Sequence, residues 1–354
     1  MITVVLAEDS HTLRELLVTI LGGDPEIAIV GVAKDGAEAV AMAVRKQPDV
    51  VAMDINMPVM DGLAATKELM VRSPRPIVLF TSSGSAPDVA LALSATRAGA
   101  LMILDKPDDP ASESFERKSA QLIRMIKAMS AVKVVRRHRL EPVRHPLPPP
   151  VSRTPSSRIQ VVAIAASTGG PAALQRILEE LPGNLPVPVL VVQHIAQGFT
   201  KGLAEWLNAS CALHVKIAEH GESLAPHLVY LPADDRHLMV RAPGLVEIAA
   251  TAPVNGLRPS ATRLFESVAG VYGSGVAAVI LTGMGSDGVE GLRMVQAAGG
   301  LVMAQDEATS IVYGMPGEAV AAGVVHEVLP VQSIASRLVA HLGGANGWLA
   351  DPDR

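Results

Sequence analysis

The sequence predicts an α/β protein with two doubly wound parallel-sheet domains. Apolar segments of strand length alternate with amphipathic helical segments up to residue 130, and this alternation resumes at residue 159. A basic, proline-rich segment separates the two halves. The chain has 354 residues, which suits two domains of roughly 100–200 residues each. We therefore predict domains over residues 1–130 and 159–344, joined by a linker over 131–158.

The first domain is predicted to be a parallel sheet covered by helices on both faces, because strand-like and helix-like segments follow one another in order. An amphipathic stretch such as Ala37 to Arg45 fits a covering helix. The predicted strands span residues 3–7, 27–32, 49–53, 76–81 and 100–104.

The segment 131–158 differs in kind from both of its flanks. It carries seven Lys and Arg residues against one Glu, whereas residues 1–130 and 159–354 are both net acidic. The run Pro148-Pro149-Pro150 lacks backbone donors and favours extended polyproline conformation. A semi-stiff solvated tether is the favoured interpretation, and a docking segment for acidic partners is the alternative.

The second domain is again predicted to be α/β. Its buried strands are predicted over residues 159–165, 187–193 and 275–281. Helical patterns follow over residues 171–181, 198–209, 260–272 and 288–298.

Composition narrows the possible cellular context. Apolar runs such as Val276 to Leu281 are far shorter than the ~18 residues of a membrane span, so no membrane insertion is expected. The apolar start, Thr3 to Ala7, has no basic region before it and leads into Glu8-Asp9, unlike a secretion signal. Cys211 is the only cysteine, which favours a cytoplasmic location. The acidic second domain shows no helix-turn-helix pattern, so a nucleic-acid partner is not expected.

Acidic residues end two predicted strands of the first domain. Glu8 and Asp9 follow the first strand, and Asp54 ends the third. Because these strands are neighbours in a doubly wound sheet, we expect the three carboxylates to converge. Their mutual repulsion would be relieved by a hard divalent cation such as Mg²⁺. Thr81 ends the fourth strand, and Lys106 follows the fifth. A hydroxyl and an ammonium at this edge suit phosphoryl transfer to an aspartate.

These residues resemble the receiver domain of two-component response regulators over about residues 1–125. The resemblance implies a flavodoxin-like fold, with Asp54 as the phosphoryl acceptor and Thr81 and Lys106 in contact with the phosphoryl group. It also implies a chemotaxis histidine kinase as phosphodonor. Ile103 stands where receivers usually carry an aromatic switch residue. The motif consists of Glu8-Asp9, the Asp54 to Gly62 loop, Thr81 and Lys106-Pro107. The implied Mg²⁺ ligands are Glu8, Asp9, Asp54 and the backbone carbonyl of Asn56.

Three polar side chains follow predicted strands of the second domain. Ser167 lies in a glycine-rich strand-to-helix turn, which suits either a phosphate loop or a serine nucleophile. Ala165 occupies the glycine position of a nucleophile elbow, so that motif is weak by itself, and slight crowding is expected there. His194 and Asp287 each follow a further strand, and a helix-capping role is the alternative for each. Convergence of the three favours a Ser–His–Asp triad.

Residues 159–342 resemble the catalytic domain of the chemotaxis protein-glutamate methylesterase family. The resemblance implies a Rossmann-like domain with a Ser167, His194 and Asp287 triad and no cofactor of its own. It implies demethylation of glutamate methyl esters, and deamidation of glutamines, on methyl-accepting chemoreceptors. Two alternatives remain: a receiver-gated esterase on another substrate, and a non-catalytic receptor-binding adaptor. The segments that carry the resemblance are Ala166 to Pro171, Gln193-His194, Val254-Asn255, Arg258 to Ser260, Leu281 to Gly288, Ala304 to Ser310 and Tyr313 to Pro316.

Overall fold

The chain divides into two compact units, each described by itself. Apart from residues 131 and 132, the predicted linker lies outside the described residues, as does the predicted domain end at 344. The computed structural model describes residues 1–81, 91, 94–95, 98–100, 102–107, 109–112, 115–132, 159–242 and 244–343.

The first unit contains a parallel sheet. Its strands, within the described residues, are β1 (Ile2–Ala7), β2 (Ile27–Ala33), β3 (Val50–Asp54), β4 (Ile77–Thr81) and β5 (Met102–Asp105). Their order, β2-β1-β3-β4-β5, is the flavodoxin-like order that the sequence predicts. All pairs are parallel. Every residue of β3 is buried because helices cover both faces of the sheet.

Helices of the first unit begin where side chains can satisfy the free N–H groups of the first turn. Ser10, Asp35 and Asp61 each accept a hydrogen bond from the third residue that follows. The described helices are α1 (His11–Gly22), α2 (Gly36–Lys46), α3 (Gly62–Arg72) and α4 (Phe115–Ser130).

The second unit is built on a larger parallel sheet with a separate antiparallel hairpin. The strands are β6 (Val161–Ala166), β7 (Val189–Gln193), β8 (His214–Ile217), β9 (Leu228–Leu231), β10 (His237–Ala242), β11 (Leu245–Ala249), β12 (Val276–Ile280), β13 (Leu301–Gln305) and β14 (Glu327–Leu329). Seven of them form the sheet in the order β14-β13-β12-β6-β7-β9-β8, and β10 pairs with β11. The helices are α5 (Gly170–Glu180), α6 (Thr200–Asn208), α7 (Ala261–Tyr272), α8 (Val289–Ala297), α9 (Met315–Ala321) and α10 (Val331–Leu342).

Both predicted parallel sheets are confirmed, and the predicted strands match the observed ones to within about two residues at each end. Sequence reasoning did not predict β8–β11, β13 and β14. Several of these strands are short or lie at sheet edges, so they lack the long apolar runs of β6, β7 and β12, which are fully buried. No helix in the described part of the chain combines the length and the apolar character that a bilayer span requires.

Candidate active site and phosphorylation site

Three adjacent strands of the second unit place Ser167, His194 and Asp287 at one edge of the sheet. Ser167 directly follows β6, His194 directly follows β7, and Asp287 lies in the loop after β12. The order β12-β6-β7 puts the serine strand in the middle. The His194 N–H donates to the Ala166 carbonyl at 3.0 Å, which extends the β6–β7 ladder by one residue. The predicted convergence at the carboxyl ends of the strands is therefore observed.

Two glycines allow the turn at Ser167 to pack tightly. A Cβ on Gly170 would lie 2.0 Å from Gln193 Oε1, and a Cβ on Gly283 would lie 2.7 Å from the Ser167 Cβ. A side chain at position 283 would push the serine turn away from the loop after β12, and one at position 170 would displace the Gln193 amide. Ser167 itself is partly buried, and its N–H donates to the Thr282 carbonyl at 3.0 Å. Ala165 lies inside β6 and not in the turn.

His194 and Asp287 form a hydrogen-bonded pair. The distance from His194 Nε2 to Asp287 Oδ2 is 2.9 Å. The Asp287 side chain is only 2% exposed, and that of His194 is 11% exposed, so bulk water screens the interaction weakly. A carboxylate in this place favours the tautomer with hydrogen on Nε2, which leaves the lone pair of the neutral ring on Nδ1.

The N-terminus of α7 holds the Asp287 carboxylate. Oδ1 accepts from the Ser260 hydroxyl at 2.8 Å and from the Thr262 hydroxyl at 2.9 Å. Oδ2 accepts from the Ala261 N–H at 2.6 Å. Burial opposes ionisation, but the bonds with His194 and with these donors outweigh it, so the pKa of Asp287 lies well below its usual value. Asp287 therefore caps the N-terminus of α7, a helix that precedes it in the chain, and also forms a hydrogen bond with His194.

A buried histidine, His237, binds the backbone of Ser260, whose hydroxyl donates to the Asp287 carboxylate. His237 Nδ1 accepts from the Ser260 N–H at 3.2 Å, and Nε2 lies 3.2 Å from the Ala252 carbonyl. Burial lowers the pKa of His237, which favours the neutral ring that can accept a hydrogen bond at Nδ1 and donate one from Nε2. Ser260 lies in a segment that carries the family resemblance but receives no role from the sequence, and neither His237 nor Thr262 is identified from it. The serine at the start of a helical pattern was the one available signal.

The Arg258-Pro259-Ser260 motif has a structural explanation. The Arg258 guanidinium binds both carboxylate oxygens of Asp235, at 2.8 Å and 2.6 Å. It also donates to the carbonyls of Ala250 and Thr251. These bonds connect the loop before α7 to the segments that flank the β10–β11 hairpin. They therefore help to hold Ser260 within hydrogen-bond distance of Asp287.

The first unit brings its acidic residues together as predicted. Carboxylate oxygens of Glu8, Asp9 and Asp54 all lie within 4.8 Å of one another. Lys106 Nζ lies 2.8 Å from Glu8 Oε2 and 2.8 Å from Asp54 Oδ2. Thr81 is the last residue of β4 and is buried, whereas Asn56 is exposed two residues after Asp54.

The electrostatics of this cluster favour a further positive charge. Burial raises the pKa of both Glu8 and Asp54, and Lys106 only partly offsets the effect. Burial alone would lower the pKa of Lys106, but the two carboxylates outweigh it and raise that pKa. Three carboxylates against one ammonium, with oxygen donors only, form a set that suits a hard divalent cation. Ile103 is a buried residue of β5 opposite Leu79.

Fold and sites together define the class of protein: a response-regulator receiver in one chain with an α/β domain that carries a hydrolase-type histidine–carboxylate pair. The description "CheB methylesterase" matches residues 162–338, and "Response regulator receiver domain" matches residues 4–112. The chain belongs to the CheB methylesterase family.

Relatives cover nearly the whole chain. The protein-glutamate methylesterase/protein-glutamine glutaminase 4 of Myxococcus xanthus is 52% identical over 97% of this chain and 98% of its own length. The corresponding protein 3 of Anaeromyxobacter dehalogenans is 49% identical over 97% of this chain and 99% of its own length. The crystal structure of the Thermotoga maritima CheB methylesterase catalytic domain is 40% identical, covers 52% of this chain and 98% of that one, and has a TM-score of 0.50.

Proposed function

We propose that this chain is a phosphorylation-activated serine hydrolase that demethylates glutamate methyl esters, and deamidates glutamines, on chemoreceptors. The observation that carries the proposal is the 2.9 Å His194–Asp287 pair at the same sheet edge as Ser167, on three adjacent strands. The names of the full-length relatives support the same activity.

In the proposed reaction, Ser167 is the nucleophile and His194 is the general base. Nδ1 of His194 takes the hydroxyl proton as Ser167 Oγ forms a bond to the ester carbonyl carbon. The bond to the methoxy group breaks, and His194 returns its proton so that methanol leaves. Water then hydrolyses the acyl-enzyme by the same route. Asp287 orients the ring and stabilises the transient imidazolium.

The carbonyl oxygen becomes negative during each step and requires hydrogen-bond donors. Helix α5 begins three residues after the serine, so the positive end of its dipole lies next to the serine turn and favours negative charge there. Thr168 Oγ1 is buried and makes no hydrogen bond within the described residues, so it is a candidate donor together with the backbone near Met284. A glutamine side-chain amide has the same carbonyl geometry, which accounts for deamidation by the same residues.

The first unit is proposed to control this activity through phosphorylation of Asp54 by a chemotaxis histidine kinase. Glu8, Asp9, Asp54 and the Asn56 backbone carbonyl would hold Mg²⁺, which would neutralise charge on the phosphoryl group. Lys106 contacts Asp54 and would stabilise the transferred group directly. The proposed partners and site imply a cytoplasmic protein that binds no nucleic acid. The methylesterase domain is proposed to need no cofactor.

The proposal is tested by methanol release from methylated chemoreceptor, measured on the full chain with and without a small phosphodonor and Mg²⁺. We expect release by the wild-type chain, an increase on phosphorylation, and no increase for Asp54→Asn. Release from simple carboxylic esters but not from receptor would support an esterase with another substrate. Receptor binding without release would support the adaptor alternative.

A further inference from the structure

Gln193 makes two contacts that link the serine turn to the base. It is the last residue of β7, and it lies opposite Ala166 in the β6–β7 register. Each of these two residues therefore precedes a proposed triad member. The Gln193 side chain is buried. Burial of a polar side chain costs free energy unless hydrogen bonds compensate for the lost contact with water.

The Gln193 amide uses both of its hydrogens on the two triad-bearing turns. Nε2 donates to the Ser167 carbonyl at 2.8 Å and to the His194 carbonyl at 2.8 Å. Two carbonyl acceptors require the NH₂ group on this side of the amide, so its orientation follows from the chemistry. The opposite atom, Oε1, makes no hydrogen bond within the described residues and packs against Gly170. The donors, and not the acceptor, are thus the part of the side chain that is used.

The bond to the Ser167 carbonyl helps to orient a whole peptide group. That carbonyl also accepts from the Gly170 N–H at 2.8 Å, so two donors hold it. Because the peptide between Ser167 and Thr168 is planar and trans, its N–H points opposite to the held carbonyl. Among the described residues, none accepts a hydrogen bond from the Thr168 N–H. Gln193 thereby directs a free donor next to the nucleophile.

From these contacts we infer that Gln193 is a positioning residue of the esterase reaction, which sets the Ser167–Thr168 peptide and the His194 backbone in one geometry. The inference rests on the proposed function. Gln193 acts through neighbouring residues and takes no proton itself. Loss of its donors leaves the Ser167 carbonyl held by the Gly170 N–H alone and removes the bond to the His194 carbonyl. Both turns then become less precisely placed, which costs rate and not ground-state affinity.

Two substitutions separate donation from packing. Gln193→Met keeps the length without donors, and Gln193→Glu keeps the shape but directs acceptors at two carbonyl oxygens. Gln175→Met is the matched control, because Gln175 is a buried amide of α5 with no bond from its Nε2 in the described structure. We expect kcat to fall about 10- to 100-fold in Gln193→Met, and further in Gln193→Glu, with KM nearly unchanged. The control should keep kcat and KM at their wild-type values.

The second measurement is the rate at which a fluorophosphonate labels Ser167 in the folded full chain, with the melting temperature of each variant recorded. In this step Ser167 Oγ bonds to phosphorus, fluoride leaves, and His194 takes the proton. A fall in labelling rate parallel to kcat supports the inference. Labelling and kcat equal to wild type in folded Gln193→Met would overturn it. Wild-type labelling without methanol release would instead overturn the proposed function, because the serine would be reactive towards another substrate.

Discussion

Substitution of Asp287 by Asn tests the proposed reaction most directly. The carboxylate lies 2.9 Å from His194 Nε2 and accepts further bonds from Ser260, Ala261 and Thr262. An amide keeps the volume but has one donor group and no charge. Its NH₂ group must therefore face at least one of the present donors, and the imidazolium that forms in the reaction loses its counter-charge.

The expected loss follows from the observed distance. Two unit charges 2.9 Å apart in a medium of effective dielectric constant near 20 attract by about 6 kcal/mol. At about 1.4 kcal/mol per tenfold change in rate, kcat should fall by about 10⁴-fold. The unfolding free energy should also fall, by roughly 1–3 kcal/mol, because a donor at the start of α7 becomes unsatisfied.

Glu327→Gln is the matched control for this substitution. Glu327 Oε1 lies 2.9 Å from His341 Nε2, the same separation as in the Asp287 pair, but on β14 at the far edge of the sheet. Both variants remove a carboxylate partner of a histidine, and both should lower the melting temperature. Only Asp287→Asn should abolish methanol release from methylated receptor.

The assay compares kcat per folded molecule at a temperature well below both melting transitions. If Asp287→Asn is folded and keeps kcat within about tenfold of wild type, the electrostatic role assigned to Asp287 is wrong. An equal loss of kcat in Glu327→Gln would also refute the reasoning, since the effect would then come from general destabilisation.

Three other groups can be tested in the same way: the nucleophile, the acidic cluster of the first unit and the Glu327 carboxylate. Ser167→Ala should reduce methanol release by several orders of magnitude without a change in phosphorylation, and near-normal turnover would exclude Ser167 as the nucleophile. Radiolabelled phosphodonor should label wild type only with Mg²⁺ present, and label retained by Asp54→Asn would identify another acceptor. Burial opposes ionisation of Glu327, but His341 and Arg337 outweigh it and lower its pKa to about 2. Ionised Glu327 therefore adds on the order of 3 kcal/mol to the free energy of unfolding. This contribution is complete above the ordinary glutamate pKa and is lost as the pH falls towards 2. If the free energy of unfolding depends on acid pH in the same way in Glu327→Gln and wild type, the assignment is wrong.

The class of each sheet and the position of its reactive ends follow from the pattern of apolar and polar residues along the chain. Long buried strands such as β6, β7 and β12 leave a local signal, because nearly all of their residues are apolar. Polar residues at the end of such strands or directly after them, including Asp54, Ser167 and His194, were therefore recognisable without coordinates. The parallel arrangement then required them to meet at the carboxyl edge.

The neighbours of each strand and the side chains that support the reactive ones are apparent only in the folded chain. The central position of β6 between β12 and β7 depends on crossovers that no local pattern encodes. Asp287 accepts its bonds from Ser260 and Thr262, more than twenty residues earlier, because the N-terminus of α7 lies against the loop after β12. The two bonds of the Gln193 amide are also invisible in the sequence. Hydrogen bonds of this kind depend on angles and distances between separate elements, which exist only once the sheet has assembled.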